Sequence, residues 1–202
     1  MRVLSVVGFK GGSGKTTVAV NVADVLGERM PVVLIDTDLQ ASAAAWFGGA
    51  AHVRVEHITD VDQLGQVLRQ RWDGVAVVDG RPGDPYLTRV LVDWSDLLLV
   101  PLRPSPLDLH GNAPVLERIG AGQVNGLAVF TMAVPRTQDA EIMRRTLADQ
   151  YNVRAVQTVL HHRIAYARAP LWDCGVCDAD QGGPAAAEVL ALADEVAKAL
   201  GV

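Results

Sequence analysis

The sequence predicts an α/β domain built on a mostly parallel, twisted sheet with helices on both faces. Two observations lead to this fold class. Short β-branched and apolar runs alternate along the chain with stretches of helical spacing, which is typical of strand–helix–strand units. Several runs, such as residues 75–78, carry no polar residue, as expected for strands that are covered on both faces. We expect the chain to form a single domain spanning residues 1–202.

The individual elements follow from the same patterns. The first helix has apolar residues at Val18, Val22 and Val25, and the alternation in residues 53–58 is typical of a strand nearer the edge of the sheet. Glycine and proline predict a loop over residues 170–184. The expected strands are 2–8, 32–35, 53–58, 75–78, 97–100, 126–131 and 153–159. The expected helices are 15–29, 60–72, 107–119, 138–150 and 185–200, with a small-residue helix and turn over 41–51.

Composition and charge limit the classes of function. Half of the residues are apolar and a fifth are charged, which is typical of a globular chain. The net charge of −5 excludes a generally basic coat for nucleic acid but leaves room for a local basic patch. Two cysteines and the lack of an export signal favour a reducing cytoplasm. The longest apolar runs, such as residues 97–102, are too short to cross a bilayer.

The strongest signal is residues 10–17, KGGSGKTT, between the first strand and the first helix. Glycines let backbone N–H groups curl around phosphate oxygens, and the following helix directs its positive end toward the same anion. Lys15 is placed to reach terminal phosphates and Thr16 to bind Mg²⁺. The strict P-loop pattern requires glycine where this chain has Phe9, and a second lysine, Lys10, opens the loop instead.

Carboxylates follow two of the expected buried strands. Asp36 and Asp38 come after residues 32–35, and Asp79 comes after residues 75–78. Ligands of open α/β sheets bind at the carboxyl ends of the strands, and Mg²⁺ prefers hard oxygen ligands. Together with the phosphate loop, the three aspartates predict a site for a nucleotide and a magnesium ion.

These motifs resemble those of the ParA/MinD family of deviant Walker A ATPases. Residues 10–17 are similar to the family's Walker A box with its signature lysine, residues 36–40 to switch I, and residues 79–83 to Walker B and switch II. The proline-rich residues 101–108 and the short chain are most similar to the small plasmid-type ParA partition proteins. The resemblance implies a P-loop NTPase fold of the deviant Walker A type. At Leu39 the family usually has proline, so we expect a slightly less rigid switch I.

The resemblance also implies how ATP is held. Lys15 would bind the β- and γ-phosphates within its own subunit. Lys10 would cross the interface of an ATP-dependent homodimer and touch the phosphates of the facing subunit, so that both lysines are catalytic. The ATP-binding residues would be Lys10, Gly11, Gly12, Ser13, Gly14, Lys15, Thr16 and Thr17.

The same resemblance assigns the metal and the attacking water. Thr16 would bind Mg²⁺ directly, and Asp36 and Asp79 would hold it through water. Asp38 would orient or activate the water that attacks the γ-phosphate, which gives ADP and phosphate. Phosphoryl transfer depends mainly on positioning and on neutralised charge, which these groups supply.

The output implied by the resemblance is on DNA. Residues 160–169 resemble the C-terminal segment through which ParA dimers touch phosphate backbones, and Arg163 and Arg168 match most closely. Arginine contacts to the backbone carry no sequence information, which suits non-specific DNA binding. We therefore expect a partition ATPase in the nucleoid-associated cytoplasm that segregates a plasmid or chromosome. A ParB-like partner on the cargo would stimulate hydrolysis and release the dimer from DNA.

Three alternative outputs are open. Some relatives position a protein cargo, such as a carboxysome or a chemoreceptor cluster. A membrane-surface switch of MinD type is disfavoured, because the expected helix 185–200 has three acids and one base; we expect no membrane partner. An iron–sulfur carrier of Mrp type would use Cys174 and Cys177, and a cluster would then need ligands from both subunits.

Overall fold

One sheet of seven strands organises the protein. The computed structural model describes residues 1–47, 52–70 and 72–202. The strands are β1 Arg2–Val6, β2 Val32–Asp36, β3 Arg54–His57, β4 Val75–Asp79, β5 Leu97–Leu102, β6 Gly126–Ala133 and β7 Ala155–His161. The helices are α1 Lys15–Gly27, α2 Ser42–Phe47, α3 Val61–Leu68, α4 Pro85–Trp94, α5 Pro106–Gly111, α6 Ala113–Gly120, α7 Asp139–Tyr151, α8 Ile164–Arg168, α9 Val176–Ala179 and α10 Pro184–Leu200. A 3₁₀ turn, Ala169–Trp172, follows α8.

The strand order, β3-β2-β4-β1-β5-β6-β7, brings the predicted site residues together. All pairings between neighbouring strands are parallel. Val6 at the end of β1 pairs with Asp79 at the end of β4, and Asp79 pairs in turn with Asp36 at the end of β2. The loop that leaves β1 therefore starts level with two of the predicted carboxylates.

Helices cover both faces of the sheet, as the sequence predicts. Successive side chains of a strand point to opposite faces, so Leu4 packs in one core and Val3 in the other. The first core joins the sheet to α1, α2, α9 and α10, and the second joins it to α3 through α7. The expected C-terminal helix is α10, which buries Val189, Leu192 and Val196 against the sheet. Within the described residues, no helix is long and apolar enough to cross a membrane.

Some predicted boundaries are wrong. Residues 107–119 form two helices, because Asn112 leaves the helical conformation (φ −107°, ψ 7°) and Pro114 has no N–H for a continuous helix. Residues 170–184 are not wholly a loop, since they include part of the 3₁₀ turn and the single turn of α9.

Two further helices differ in extent from the expected ranges. The helix expected over 60–72 ends at Leu68, and residue 71 lies outside the described residues. The helix and turn expected over 41–51 begin as α2, while residues 48–51 lie outside the described residues.

Helix α4 was not anticipated. It has a readable start signal, because Asp84 caps its N-terminus by accepting a hydrogen bond from the backbone N–H of Leu87 (2.9 Å) and Pro85 occupies the first turn. The helix carries the segment after Asp79 back across the sheet and buries Leu87 and Leu91 in the second core.

Candidate functional site

The loop between β1 and α1 has the geometry of an anion cradle. Gly12 and Gly14 adopt positive φ angles of 71° and 88°, which favour glycine. The space where side chains at Gly11 and Gly12 would begin is open. Gly14 precedes α1, whose first turn contains no acidic residue and whose N-terminus has no side-chain cap. The first N–H groups of α1 are therefore available to an anion.

Side chains from distant parts of the chain hold this loop from behind. The Thr131 hydroxyl, on β6, donates to the backbone carbonyl of Ser13 (2.8 Å). The Asn112 side chain accepts a hydrogen bond from the backbone N–H of Phe9 (2.9 Å). Both side chains are buried, and the sequence analysis did not find them. Pro114, which cannot continue the helix expected over 107–119, is the sequence signal that could have drawn attention to this segment.

Lys15 lies in this loop without an anionic partner. Its ammonium donates to the backbone carbonyl of Lys10 (2.9 Å), and among the described residues no carboxylate lies within ion-pair distance of it. Burial lowers the pKa of the Lys15 amine, although Asp79 and Asp38 oppose this effect. A bound polyphosphate would supply the missing negative charge.

Lys10, by contrast, is already paired. Its ammonium lies 2.6 Å from a carboxylate oxygen of Asp108, which is fully buried. Arg103 binds the same carboxylate through its Nε and Nη2 atoms, each at 3.1 Å. Burial raises the pKa of the Asp108 carboxyl, but the hydrogen bonds from Arg103 and Lys10 outweigh it and hold the pKa below its ordinary value. The second lysine of the loop is thus held within its own subunit.

Asp79 and Thr16 form the second part of the site. The Thr16 hydroxyl donates to one carboxylate oxygen of Asp79 (2.7 Å), and the other oxygen, Oδ1, is buried without a hydrogen-bond partner among the described residues. Burial raises the pKa of the Asp79 carboxyl to about 7, and the hydrogen bond from Thr16 only partly offsets this. An orphaned carboxylate oxygen next to a hydroxyl is a donor set that suits Mg²⁺, so the residues fit the predicted metal.

Asp36 is engaged by the backbone of the loop after β2. One of its oxygens accepts from the N–H of Asp38 (2.9 Å), and the other accepts from the N–H groups of Ala43 (2.8 Å) and Ala44 (3.0 Å). Asp36 therefore fixes the start of α2 as well as the conformation of the loop. The side chain of Asp38 is half-exposed and accepts from the backbone N–H of Gln40 (3.0 Å).

Thr37, which the sequence analysis passed over, joins the two aspartate segments. Its buried hydroxyl donates to the backbone carbonyl of Asp79 (2.6 Å) and accepts from the backbone N–H of Arg81 (3.0 Å). A movement of the loop after β2 is therefore transmitted to the loop after β4, and the reverse. Its position between Asp36 and Asp38, at the end of a buried strand, is the signal that could have identified it.

Two clefts meet at the phosphate loop. The first, of about 270 Å³, is lined by residues that include Lys15, Thr16, Asp38 and Gly80. The second, of about 280 Å³, runs from the loop to the end of β7. Residues common to both clefts are Gly14, Thr17 and Met132. The two clefts thus form a continuous surface with the N-terminus of α1 between them.

The predicted DNA-contacting arginines differ in environment. Arg163 lines the second cleft and donates to the carboxylate of Glu188 through Nε (2.9 Å) and Nη2 (2.6 Å). Arg168 is exposed and forms no ion pair with any described residue. Arg144 of α7, another basic residue close to β7, donates to backbone carbonyls of that strand, including that of Ala155 (3.2 Å).

The two cysteines lie before and within α9. Both are free thiols, and burial raises the pKa of each, with nearby aspartates acting in the same direction. In the part of the chain that the structure describes, no group of three or more metal-binding side chains occurs. A cluster at Cys174 and Cys177 would therefore need ligands from a second subunit.

Comparison with known families agrees with this geometry. Residues 4–171 match the CobQ/CobB/MinD/ParA nucleotide binding domain. The match covers the phosphate loop, the three aspartates and the end of β7. The chain therefore belongs to this family of nucleotide-binding proteins.

Curated relatives cover nearly the whole chain. The maintenance of carboxysome distribution protein A of Halothiobacillus neapolitanus is 29% identical, over 92% of this chain and 91% of that protein. The protein of the same name from Gloeobacter kilaueensis is 38% identical, over 84% and 81%. Protein ParA of Rhizobium radiobacter is 28% identical, over 83% and 81%. The predicted family is confirmed, and its homologues here include both ParA and carboxysome-distribution proteins.

Solved structures confirm the predicted fold. The septum site-determining protein MinD of Pyrococcus horikoshii, complexed with Mg-ADP, has a TM-score of 0.79 at 18% identity, over 98% of this chain and 96% of that one. McdA of Cyanothece, in complex with ATP, has a TM-score of 0.74 at 14% identity, over 100% and 97%. The parallel sheet flanked by helices is thus that of the MinD/ParA P-loop proteins.

Proposed function

We propose that this protein is a magnesium-dependent ATPase of the ParA type that positions a cargo through cycles of ATP binding and hydrolysis. The observation that carries the proposal is the arrangement around the phosphate loop. Lys15, the first residue of α1, is buried with no carboxylate at ion-pair distance among the described residues, and an orphaned oxygen of Asp79 belongs to the carboxylate that the Thr16 hydroxyl binds. Phosphate oxygens would supply the anionic partner of Lys15, and a divalent cation would supply the partner of Asp79.

In this proposal each residue has a definite part. Lys15 and the loop N–H groups bind the phosphates, while Thr16 and Asp79 would hold Mg²⁺, with Asp36 acting through water. The metal ion, when bound, neutralises charge that develops on the phosphate oxygens. Asp38 lies at the mouth of the cleft with a half-exposed carboxylate, which suits a group that orients the attacking water.

The nucleoside would occupy the second cleft. This cleft begins at Gly14 and Thr17, where the phosphates are expected, and its walls include Leu160 and Tyr166. Apolar and aromatic walls suit a planar base. The base would thus lie between the ends of β6 and β7, on the opposite side of the α1 N-terminus from Asp79.

Dimerisation would require Lys10 to change partners. Lys10 is bound to Asp108 in the isolated chain, and Asp108 has a second cation, Arg103, to keep it paired. Lys10 is thus able to leave for the phosphates of a facing subunit without stranding a buried charge. The ATP dimer would form in this way, and loss of the γ-phosphate would weaken it.

The output that we propose is non-specific DNA binding by the ATP dimer. This proposal rests on Arg168, which is exposed. Arg163 is paired with Glu188, so we expect it to contribute less to DNA binding. A ParB-like activator would stimulate hydrolysis, and the protein would act on the nucleoid in the cytoplasm, moving a plasmid or chromosome. The similarity to two carboxysome distribution proteins favours a second candidate, in which the same ATPase positions a protein body.

The nucleotide assignment is tested by Lys15→Ala, with Lys198→Ala as the control. Lys198 is an exposed lysine in the last turn of α10. We expect isothermal calorimetry with MgATP to show at least a 100-fold loss of affinity for Lys15→Ala, because a buried charge-assisted contact is lost, and none for Lys198→Ala. Unchanged affinity in Lys15→Ala would show that the nucleotide site is placed wrongly.

A further inference from the structure

We propose that Glu188 of α10 is a positioning residue for nucleotide binding, which holds the wall of the second cleft in the shape that receives the base. The inference rests on the proposed ATP site, and it assigns a role to a residue far from the phosphate loop in sequence. Glu188 does not itself line the cleft, so it acts through the residues that do.

Three residues of the cleft wall converge on the Glu188 carboxylate. His161 donates from its Nδ1 atom (2.7 Å) and from its backbone N–H (3.1 Å). Arg163 donates from Nε (2.9 Å) and Nη2 (2.6 Å), and the Tyr166 hydroxyl donates at 3.0 Å. His161, Arg163 and Tyr166 each line the cleft as well. One carboxylate thus fixes the end of β7, the residue before α8 and the first turn of α8.

The electrostatics show that this cluster is compensated within the chain. Burial raises the pKa of the Glu188 carboxyl, but hydrogen bonds from Arg163 and His161 outweigh it and keep the pKa below its ordinary value. The hydrogen bond to Glu188 raises the pKa of the Arg163 guanidinium. The carboxylate therefore stays ionised at neutral pH, and the ion pair with Arg163 stays closed. The wall keeps its shape before any nucleotide arrives.

Fixing this wall should matter for the base and not for the phosphates. The Glu188 partners lie in residues 161–166, whereas the phosphates are expected at residues 10–17 and the magnesium ion at Thr16 and Asp79. A preformed wall removes the cost of ordering these side chains when the ligand binds. Without Glu188, Arg163 loses its anionic partner and the first turn of α8 loses its tie to α10.

A matched control lies on the same helix. Glu195 also accepts several hydrogen bonds from β7, namely from the backbone N–H of Gln157 (2.7 Å) and from the backbone N–H (2.8 Å) and hydroxyl (2.6 Å) of Thr158. Neither Gln157 nor Thr158 lines the second cleft. Glu188→Gln and Glu195→Gln therefore remove the same charge from the same helix, and only the first loosens the cleft wall.

The experiment measures the dissociation constants of MgATP and of magnesium tripolyphosphate for the wild type, Glu188→Gln, Glu195→Gln and Tyr166→Phe, with thermal unfolding as a check on folding. Tripolyphosphate probes the phosphate site alone. We expect Glu188→Gln to weaken MgATP by about tenfold and to leave tripolyphosphate unchanged, because only the base contribution is lost. Tyr166→Phe, which removes one of the hydrogen bonds to Glu188 and keeps the ring, should weaken MgATP by a few-fold, and Glu195→Gln should change neither ligand.

Two results would overturn the inference alone. In the first, Glu188→Gln binds MgATP as tightly as Glu195→Gln does. In the second, Glu188→Gln weakens both ligands equally, which would make its effect a general loss of structure. If the wild-type protein binds neither ligand, the proposed ATP site itself is wrong and the inference fails with it.

Discussion

The two clefts form one surface, and its two ends differ in how the charges of their side chains are balanced. At the ends of β1, β2 and β4, here called the phosphate end, burial lowers the pKa of Lys15 and raises that of Asp79, and neither has an oppositely charged partner at ion-pair distance among the described residues. At the end of β7, Glu188 has a lowered pKa and Arg163 a raised one, because each is paired with the other. The first end needs a ligand to complete it, whereas the second is complete without one.

This contrast explains how the fold can bind and release a charged ligand. An uncompensated site makes the empty state less stable, so a polyphosphate with Mg²⁺ gains free energy by supplying the missing charges. The wall of the second cleft, where Arg163 and Glu188 are paired, has a fixed shape and does not need a charged ligand. The contrast has one exception at the phosphate end, which is Lys10. Lys10 already has an anionic partner, Asp108, in the nucleotide-free chain.

The largest expected effect tests that exception. Lys10→Ala leaves Asp108 paired with Arg103, so we expect the stability of the monomer and its affinity for MgATP to change little. The ATP dimer should weaken by on the order of 100-fold, because a charge-assisted contact to the facing nucleotide is lost. Light scattering with a non-hydrolysable ATP analogue measures the dimer. Normal dimerisation together with normal hydrolysis would remove Lys10 from the mechanism.

The next effect concerns the pH dependence of the nucleotide-free protein. The pKa of Asp79 is about 7 in the folded chain and about 3.9 in an unfolded one, so the folded state holds more protons between these values. Its contribution to stability is therefore lost as the pH rises from about 4 to about 7, on the order of 4 kcal/mol in all. Asp79→Asn should remove this dependence and be more stable than the wild type at pH 8.

Denaturant unfolding at pH 5 and pH 8 measures that difference. Asp149→Asn, at an exposed position of α7, is the control and should behave like the wild type. If Asp79→Asn loses stability between pH 5 and pH 8 as the wild type does, the phosphate end is not the uncompensated region that we describe.

The two ends also differ in how far the sequence predicts them. The phosphate end can be predicted from contiguous motifs, because a glycine-rich loop and aspartates directly after strands are recognisable in short segments of sequence. The parallel register of the strands then brings Asp36 level with Asp79. The wall of the second cleft is not contiguous. Glu188 is separated from Arg163 by 25 residues, and nothing in the sequence pairs one glutamate of α10 with that arginine.

The same limit explains the other residues that sequence analysis missed. Asn112 and Thr131 hold the phosphate loop by single hydrogen bonds across the fold, and such contacts leave no periodic pattern. The fold class was readable because alternating strands and helices are a property of every segment. The exact ends of the helices were harder to predict. At Asn112, for example, the helix is interrupted where the side chain bonds the distant backbone of Phe9.

The smallest expected effect sharpens the comparison at the β7 end, where the exposed Arg168 follows the compensated Arg163. We expect Arg168→Ala to weaken binding of the ATP-bound protein to random-sequence duplex DNA by a few-fold, and to lower the slope of log affinity against log salt by about one for each arginine lost. Arg163→Ala should lower that slope less, because its charge is balanced by Glu188. Arg2→Ala, at the amino end of the central strand β1 and so at the opposite end of the strands from Arg168, is the control. Fluorescence anisotropy at several salt concentrations measures all three variants. Equal slopes for Arg168→Ala and Arg2→Ala would move the DNA surface, or the output itself, away from this end of the sheet.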